Sequence, residues 1–208
     1  MLNTLTERYP VLNEIKKELE QAYQLLEMCF ENGGKLLVGG NGGSAADAEH
    51  IVGELMKGFV KRRPMTDEMQ KTLKAADPKR GAVLAENLQR SLPAIAITGH
   101  NALSSAFAND VDPVLTYAQQ VMGYGTSKDV LFAISTSGNA ENVMYAAVAA
   151  KAKGMKVVAL TGKDGGALAK IADVSIIVPL QETYQIQELH LPIYHAFCLM
   201  LEAHFFAE

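Results

Sequence analysis

The feature that most constrains the fold of this chain is a regular alternation of short apolar runs with helical segments. The five runs are KLLVGG (35–40), PAIAIT (93–98), DVLFAIST (129–136), KVVALTG (156–162) and VSIIVPL (174–180). Helical segments separate them, and none is joined to the next by the two-residue turn of a β-hairpin. Because parallel strands need long crossover connections, this order predicts a doubly wound α/β fold, in which helices cover both faces of a five-stranded parallel sheet.

The predicted helices flank these strands, and one connection is much longer than the others. Apolar residues at three- and four-residue spacing predict a helix over 11–31, and the last helix is expected over about 184–206. The helix at 44–58 follows the first strand, and the chain between it and the second strand is far longer than an ordinary α/β connection. We therefore predict a single domain over 1–208 with a helical insertion at about 65–90.

Composition and charge limit the classes of function. The 208 residues carry a formal net charge of -4, so no overall positive field attracts nucleic acid or an anionic membrane. The sequence has no window of about 18 apolar residues and no cationic, apolar N-terminal signal. Cys29 and Cys198 lie in apolar helical runs and are expected to be reduced and buried. These features predict a cytoplasmic protein without nucleic-acid or membrane partners.

A glycine-rich corner follows the first predicted strand. Residues 39–54 read GGNGGSAADAEHIVGE, and GNGGSA at 40–45 satisfies the G-x-G-x-x-G/A pattern of dinucleotide-binding folds. That fingerprint also needs an acidic residue at the end of the second strand, where this chain has Ala-Ile-Thr at 96–98, so no nucleotide cofactor is expected. What remains is an anion site, because backbone N–H groups, a helix N-terminus and the Ser44 hydroxyl can approach a negative oxygen.

A second polar corner follows the third strand. The sequence STSGN at 135–139 precedes a predicted helix and offers three hydroxyl groups and a second positive helix end. Asn41, Asp110 and Asp164 are expected at further strand ends, with a turn as an equal alternative role for Asp164. Because open α/β sheets bind ligands at the carboxyl ends of adjacent strands, two such corners suit one phosphate group better than turns that only reverse the chain.

Two helices carry groups that can move protons. His50 and Glu54 are four residues apart and share one helix face directly beyond the glycine corner. Gln187 and His195 lie on the last helix, eight residues apart and about 12 Å along its axis. From the residues alone, His50 and Glu54 could be a solvated surface pair, and His195 could be a core histidine.

Together, GNGGSAADAEH, AISTSGN and LTGKDGG resemble the SIS (sugar isomerase) domain family, over nearly the whole chain apart from residues 65–90. The spacing of HIVGE and QIQELHLPIYH is similar to the phosphoheptose isomerase branch. The resemblance implies a flavodoxin-like three-layer fold and a phosphosugar ligand. It also implies aldose–ketose isomerisation of sedoheptulose 7-phosphate to D-glycero-D-manno-heptose 7-phosphate, or of a similar phosphosugar, in a homotetramer with active sites between subunits.

The resemblance also implies roles for particular residues. Glu54 and His195 match the catalytic pair, with Glu54 expected as the base at carbon and His195 as the acid. His50, Glu54, Gln187 and His195 match residues that bind zinc in some members, so a zinc cofactor is left open. The residues expected around the substrate are Asn41, Gly42, Gly43, Ser44, Asp110, Ser135, Thr136, Ser137, Asn139 and Gln187.

The chain departs from the family pattern near the expected phosphate and sugar. Ala140 stands where a further serine is typical, and the segment after Glu54 lacks the family's arginine, for which Arg62, Arg63 or the insertion are candidate substitutes. The alternative function is a non-catalytic SIS protein that senses phosphosugars or binds a replication initiator. Retention of His195 favours catalysis, because the initiator-binding branch has lost that histidine.

Overall fold

The sheet at the centre of the molecule is parallel throughout. In the computed structural model, which describes residues 1–206, the strands are β1 (Leu36–Gly39), β2 (Ala94–Ala96), β3 (Val130–Ile134), β4 (Lys156–Gly162) and β5 (Val174–Val178). Their order across the sheet is β2-β1-β3-β4-β5, and every neighbouring pair is parallel. This is the flavodoxin-like order, with its switch point between β1 and β3. The predicted five-stranded sheet is confirmed within the described range.

The strands are apolar along their length because both faces of the sheet are covered. Successive residues of a strand point to opposite faces, so Leu36 and Val38 join one core cluster while Leu37 joins the other. β1 and β3 are buried at every position. A continuous apolar run, rather than an alternating one, is what a parallel strand covered on both sides requires.

Helices form the two outer layers. They are α1 (Leu2–Arg8), α2 (Lys16–Glu31), α3 (Gly43–Met56), α4 (Asp67–Ala76), α5 (Pro78–Asn87), α6 (Asn101–Asp110), α7 (Thr116–Tyr124), α8 (Glu141–Ala152), α9 (Leu168–Ile171) and α10 (Thr183–Phe205). Residues of α1, α2, α3 and α10 contribute to one core cluster, and residues of α7, α8 and α9 contribute to the other. α3 packs against α10, which brings together the two helices that carry the predicted proton-transfer groups.

The boundaries of two predicted elements differ from those in the structure. The helix predicted over 11–31 begins as a 3-10 helix at Pro10–Ile15 before α2, and α1 precedes it without having been predicted. Asp110, predicted at the end of a strand, is instead the last residue of α6. That prediction was wrong because the apolar run before Asp110 is helical and the second strand ends earlier, at Ala96.

The long connection between α3 and β2 contains a helix pair. The Thr66 hydroxyl accepts a hydrogen bond from the Met69 N–H and caps α4, and Asp77 caps α5 in the same way. α4 buries none of its described residues. The two helices approach most closely at Gly81, where a Cβ atom would lie 1.9 Å from the Leu73 carbonyl oxygen.

Two further expectations concern the cysteines and the membrane. Cys29 and Cys198 are both buried and free, as predicted. No helix in the described part of the chain combines the length and the hydropathy needed to cross a bilayer.

Candidate active site

The glycine corner joins β1 to α3 and is built around backbone conformations that favour glycine. Gly42 has a φ of 54°, in the left-handed region, and is the N-cap of α3. Ser44 is 3% exposed, and its N–H donates to the Asn41 carbonyl. A Cβ atom at Gly40 would lie 2.7 Å from the Ser44 Cβ, so the turn closes tightly on the first turn of the helix.

The second corner lies between β3 and α8, where the sequence is STSGN. Ser135 is buried, and Thr136 and Ser137 are half-buried. Gly138 has a φ of 66° and packs directly on the loop after β4, since a Cβ atom there would lie 1.9 Å from the Gly165 carbonyl oxygen. The Asn139 carbonyl oxygen Oδ1 accepts a hydrogen bond from the N–H of residue 167 in the same loop. The half-buried hydroxyls are therefore held on a rigid turn.

The two corners are joined directly. The side-chain amides of Asn41 and Asn142 each donate to the other, both at 2.8 Å. Asn142 lies in the first turn of α8, immediately after the second corner. The Tyr117 hydroxyl donates to the Gly40 carbonyl at 2.7 Å and fixes the glycine corner from α7. The structure thus places both polar corners at one edge of the sheet.

Gln187 connects α10 to the glycine corner. A Cβ atom at Gly43 would lie 2.5 Å from Gln187 Nε2 and 3.1 Å from its Cδ, so the amide lies directly over the glycine. The absence of a side chain at Gly43 makes room for this approach. Gln187 is consequently brought to the predicted phosphate region, eight residues before His195 on the same helix.

His50 lies against Glu54 on its own helix, α3, and against His195 on α10. The distance from His50 Nε2 to Glu54 Oε1 is 3.3 Å, and the Lys57 ammonium donates to Glu54 Oε2 at 3.0 Å. The rings of His50 and His195 are edge to face, with centroids 5.0 Å apart, and Phe59 packs against the other side of His195 at 5.3 Å. The Glu54 side chain is only 13% exposed. A carboxylate and two imidazoles therefore share one partly desolvated site.

One nitrogen of the His195 ring lacks a hydrogen-bond partner among the described residues. That nitrogen is Nε2, which is buried. Burial lowers the pKa of His195, His50 lowers it further, and the Glu54 carboxylate opposes both. The neutral imidazole is therefore favoured, and its buried nitrogen is available to a group that enters the site.

Comparison with protein families shows which family the chain belongs to. The family model described as SIS domain matches residues 3–94 and also residues 79–162, together more than half of the chain. The chain belongs to the SIS domain family. The resemblance carried by the two corners and by the LTGKDGG segment is thereby confirmed.

Several phosphoheptose isomerases are similar to this chain over most of its length. A phosphoheptose isomerase from Helicobacter pylori is 36% identical over 194 residues, which are 93% of this chain and 88% of that protein. The solved structure of a phosphoheptose isomerase from Neisseria gonorrhoeae matches with a TM-score of 0.72 and 33% identity, covering 96% of each chain. That of a phosphoheptose isomerase from Francisella tularensis matches with a TM-score of 0.76 and 33% identity, covering 93% of this chain and 90% of that chain.

Two residues of this SIS site were missed by the sequence reasoning. The Tyr194 hydroxyl donates to Asp47 Oδ1 at 3.1 Å and lies 3.0 Å from His50 Nδ1. Tyr194 stands among apolar residues of α10 and reads as a core position. Two signals were present in the sequence: a buried tyrosine hydroxyl usually finds a partner, and Asp47 shares a helix face with His50 three residues later.

Three other predicted positions, Asp110, Arg63 and Arg62, make their described contacts outside the candidate site. The Asp110 carboxylate is exposed at the end of α6, and the contact described for it is with the adjacent Asn109. Arg63 is completely buried and donates to Glu202, so the hypothesis that it supplies a cation to the sugar is wrong. Arg62 is exposed and donates to the Glu86 carbonyl in α5, on the side of the insertion.

The predicted zinc residues do not form a closed donor cluster in this SIS chain. A metal site of this kind needs at least three His, Cys, Asp or Glu side chains whose ligand atoms lie close together. In the portion of the chain described, Glu27, Glu31 and His204 on the surface have ligand atoms within 4.8 Å of one another. The donor atoms of His50, Glu54 and His195 are spread more widely. Asp164 forms the turn that was its alternative role, since its Oδ1 accepts a hydrogen bond from the Gly166 N–H.

Proposed function

We propose that this SIS protein is an aldose–ketose isomerase that converts sedoheptulose 7-phosphate, or a similar phosphosugar, to the corresponding aldose. The observation that carries the proposal is the contact of His50 with both Glu54 and His195 between α3 and α10, on the helix that the glycine corner begins. Gln187, on the same helix as His195, lies against that corner. The phosphoheptose isomerases from Helicobacter pylori, Neisseria gonorrhoeae and Francisella tularensis support this reaction and this substrate class.

The phosphate group is assigned to the two joined corners. The backbone at Gly42, where a Cβ atom would meet no described atom within 4 Å, leaves room for a negative oxygen at the start of α3, and the N-termini of α3 and α8 both favour an anion there. Thr136 and Ser137 supply the accessible hydroxyls of the second corner. Ser44 and Ser135 are buried, so we assign them to shaping the turns as well as to the phosphate.

The proton transfer is assigned to the pair on α3 and α10. Aldose–ketose isomerisation moves a proton between C1 and C2 through a cis-enediol, which requires a base at carbon and an acid near the oxygens. Glu54 is the base, and its carboxylate is oriented by Lys57 and His50. His195 exchanges protons with the sugar oxygens, because its lowered pKa favours a neutral ring and its buried Nε2 needs a partner.

A zinc ion is the cofactor that the family resemblance leaves open. The residue types fit: His50, His195 and Glu54 offer imidazole and carboxylate ligands, with Gln187 as an uncommon fourth, and the unpartnered Nε2 of His195 is an available donor. When bound, zinc would polarise the sugar carbonyl as a Lewis acid. A carboxylate that binds zinc is a poorer base, so we expect the metal and the proton-transfer roles of Glu54 to compete. Metal analysis of the purified protein beside His50→Ala tests the assignment.

The proposal includes a homotetramer with active sites between subunits, as the resemblance implies. A groove of about 370 Å³ runs between α1 and α10, and Phe59, Leu191 and His195 are among its lining residues. A second copy seated there would approach His195 directly. Light scattering after size exclusion measures the oligomeric state, and a monomer would contradict this part of the proposal.

The decisive experiment is NMR of the protein with sedoheptulose 7-phosphate in deuterated water. Wild type is compared with Glu54→Gln, His195→Ala and the control His204→Ala, a surface histidine that pairs with Glu31 near the end of α10. We expect new aldose signals and deuterium at C2 in the wild type and in the control, and neither in the two site variants. Absence of turnover and exchange in the wild type, with phosphosugar binding retained, would instead favour a non-catalytic sensor or initiator-binding protein.

A further inference from the structure

Tyr194 and Asp47 form a hydrogen-bonded pair directly behind His50. Tyr194 is 2% exposed and is held between α3 and α10, with its hydroxyl 3.1 Å from Asp47 Oδ1 and 3.0 Å from His50 Nδ1. Its ring also packs edge to face against both His50 and His195, with centroid distances of 5.5 and 5.0 Å. One buried side chain therefore contacts both histidines of the site.

The direction of each hydrogen bond follows from the groups involved. A carboxylate can only accept, so the single proton of the Tyr194 hydroxyl is donated to Asp47. The hydroxyl oxygen then has only acceptor capacity left for His50. The contact at 3.0 Å is consequently a hydrogen bond when His50 Nδ1 carries a proton, which leaves the lone pair of a neutral ring on Nε2.

The fixed tautomer decides what His50 presents to Glu54. Its Nε2 lies 3.3 Å from Glu54 Oε1. A lone pair and a carboxylate oxygen at that distance attract each other only when a proton or a cation lies between them. His50 is thereby prepared to share a proton with the proposed base, or to hold a cation beside it.

We propose that Tyr194, held by Asp47, is a positioning residue that locks His50 in the Nδ1–H tautomer and turns its Nε2 toward Glu54. The proposal rests on the proposed function only for the consequence at Glu54; the Nδ1 proton is inferred from the contacts of Tyr194 with Asp47 and His50. In many active sites a carboxylate bonds directly to a histidine; here the Tyr194 hydroxyl lies between the Asp47 carboxylate and His50.

The test is the state of the His50 ring nitrogens, read by long-range nitrogen–proton NMR of histidine-labelled protein. The protein is first dialysed against EDTA, so that a bound cation cannot impose the tautomer, and is measured at pH about 8, where an ordinary imidazole is neutral. The His50 signals are assigned by their loss in His50→Gln. In the wild type we expect a protonated Nδ1. A proton on Nε2 alone would show that the Glu54 carboxylate, 3.3 Å from Nε2, decides the tautomer instead.

Two variants act on the network in different ways. Tyr194→Phe removes only the hydroxyl, and we expect His50 to lose its single tautomer and to populate Nε2–H. Asp47→Ala frees the Tyr194 proton for His50 Nδ1, which predicts a shift to the Nε2–H form with the tyrosine still in place. Because Asp47 is at the edge of the contact between α3 and α10, this variant decides the question if Tyr194→Phe does not fold.

The matched control is Tyr124→Phe. Tyr124 forms the same kind of contact with another histidine, 2.7 Å from His100 Nε2, between the end of α7 and the start of α6. We expect this variant to change the His100 signals and to leave those of His50 unchanged. An Nε2–H tautomer of His50 in the wild type, or an Nδ1–H tautomer that persists in both network variants, would overturn the proposal.

Kinetics separate this inference from the proposed reaction. Tyr194→Phe is expected to lower kcat about 10- to 100-fold, the usual effect of removing a group that orients an active-site histidine. KM should change by less than about threefold, because Tyr194 does not contact the phosphate corners. If sedoheptulose 7-phosphate is not turned over, the proposed function fails while the NMR result still decides the tautomer. Turnover with an unchanged tautomer in both variants defeats the inference alone.

Discussion

The Arg63 guanidinium donates from Nε to Glu202 Oε1 at 2.8 Å, and both side chains are buried. The same guanidinium donates to the carbonyls of Leu55 and Glu54 at 2.8 and 3.1 Å. Carbonyl groups in the last turn of a helix lack partners within that helix, so Arg63 satisfies two of them and ties the end of α3 to α10. The backbone of the proposed base is thus held by a buried ion pair.

Removing the cation of this pair is expected to destabilise the protein strongly. Arg63→Met leaves the Glu202 carboxylate buried without its partner, which lowers the free energy of unfolding by about 3–5 kcal/mol. Arg80→Met is the control: Arg80 is 84% exposed and pairs with Asp77, so its loss should cost about 0–1 kcal/mol. Urea denaturation measures both variants. Equal losses would show that the buried pair has no special role.

Acid is expected to weaken the same contact. Burial by itself would raise the pKa of Glu202, but hydrogen bonds from the N–H groups of Val60, Phe59 and Lys61 and from Arg63 outweigh it and hold the pKa below its ordinary value. A carboxyl with a lowered folded-state pKa stabilises the fold fully above the unfolded value of about 4.3, and that contribution disappears as the pH falls through the folded value.

The measurement is the free energy of unfolding between pH about 6 and about 3 for the wild type and Glu202→Gln. Asp129 and Asp173 also have lowered pKa values, so both proteins should lose stability in acid. The wild type should lose more, because only it carries the ionisable group at 202. Parallel pH dependences in the two proteins would contradict the assignment.

The sequence predicted the sheet well because its signals are local. Each strand is a predominantly apolar run, and β1 and β3 are buried at every position. The two corners were also visible, because few residues tolerate the positive φ of Gly42 in the first and of Gly138 in the second. The 3-10 segment before α2 was missed because its apolar residues continue the spacing of an ordinary helix. The helix α1 was missed because its seven residues are too few to show that spacing clearly.

Contacts between distant segments were harder to predict. Arg63 reads as a surface cation beside Lys61 and Arg62, and its burial depends on Glu202, which is 139 residues further along the chain. Tyr194 reads as a core residue until Asp47 and His50 are placed against it by the packing of α3 on α10. Spacing along one helix predicts which residues share a face, but not which face of another helix will meet it.

A side chain at Gly138 should separate the second corner from the loop after β4. Gly138→Ala forces a residue with a Cβ into a φ of 66° and places that Cβ 1.9 Å from the Gly165 carbonyl oxygen. We expect a loss of at least about 2 kcal/mol in the free energy of unfolding. We also expect a raised KM for the phosphosugar, since the hydroxyls of this corner move.

The control for this substitution is Gly123→Ala, in helix α7. A Cβ atom there would meet no described atom within 4 Å, so alanine should raise the free energy of unfolding by up to about 1 kcal/mol. Urea denaturation and steady-state kinetics compare the two variants. A Gly138→Ala protein as stable as the wild type, with unchanged KM, would show that the two loops are not packed together as described.

A substitution at Ala140 is expected to raise the free energy of unfolding rather than lower it. Ala140 is the N-cap of α8 and has no side-chain oxygen to accept from the first N–H groups of that helix. Ala140→Ser supplies the cap and should raise the free energy of unfolding by about 1 kcal/mol. It also restores the serine that is typical of the family at this corner, so we expect a lower KM for the phosphosugar.

The control is Ala152→Ser, at the exposed end of the same helix, which should change stability by less than about 0.5 kcal/mol and leave KM unchanged. If the two serine variants behave alike in denaturation and in kinetics, position 140 neither caps α8 nor approaches the phosphate.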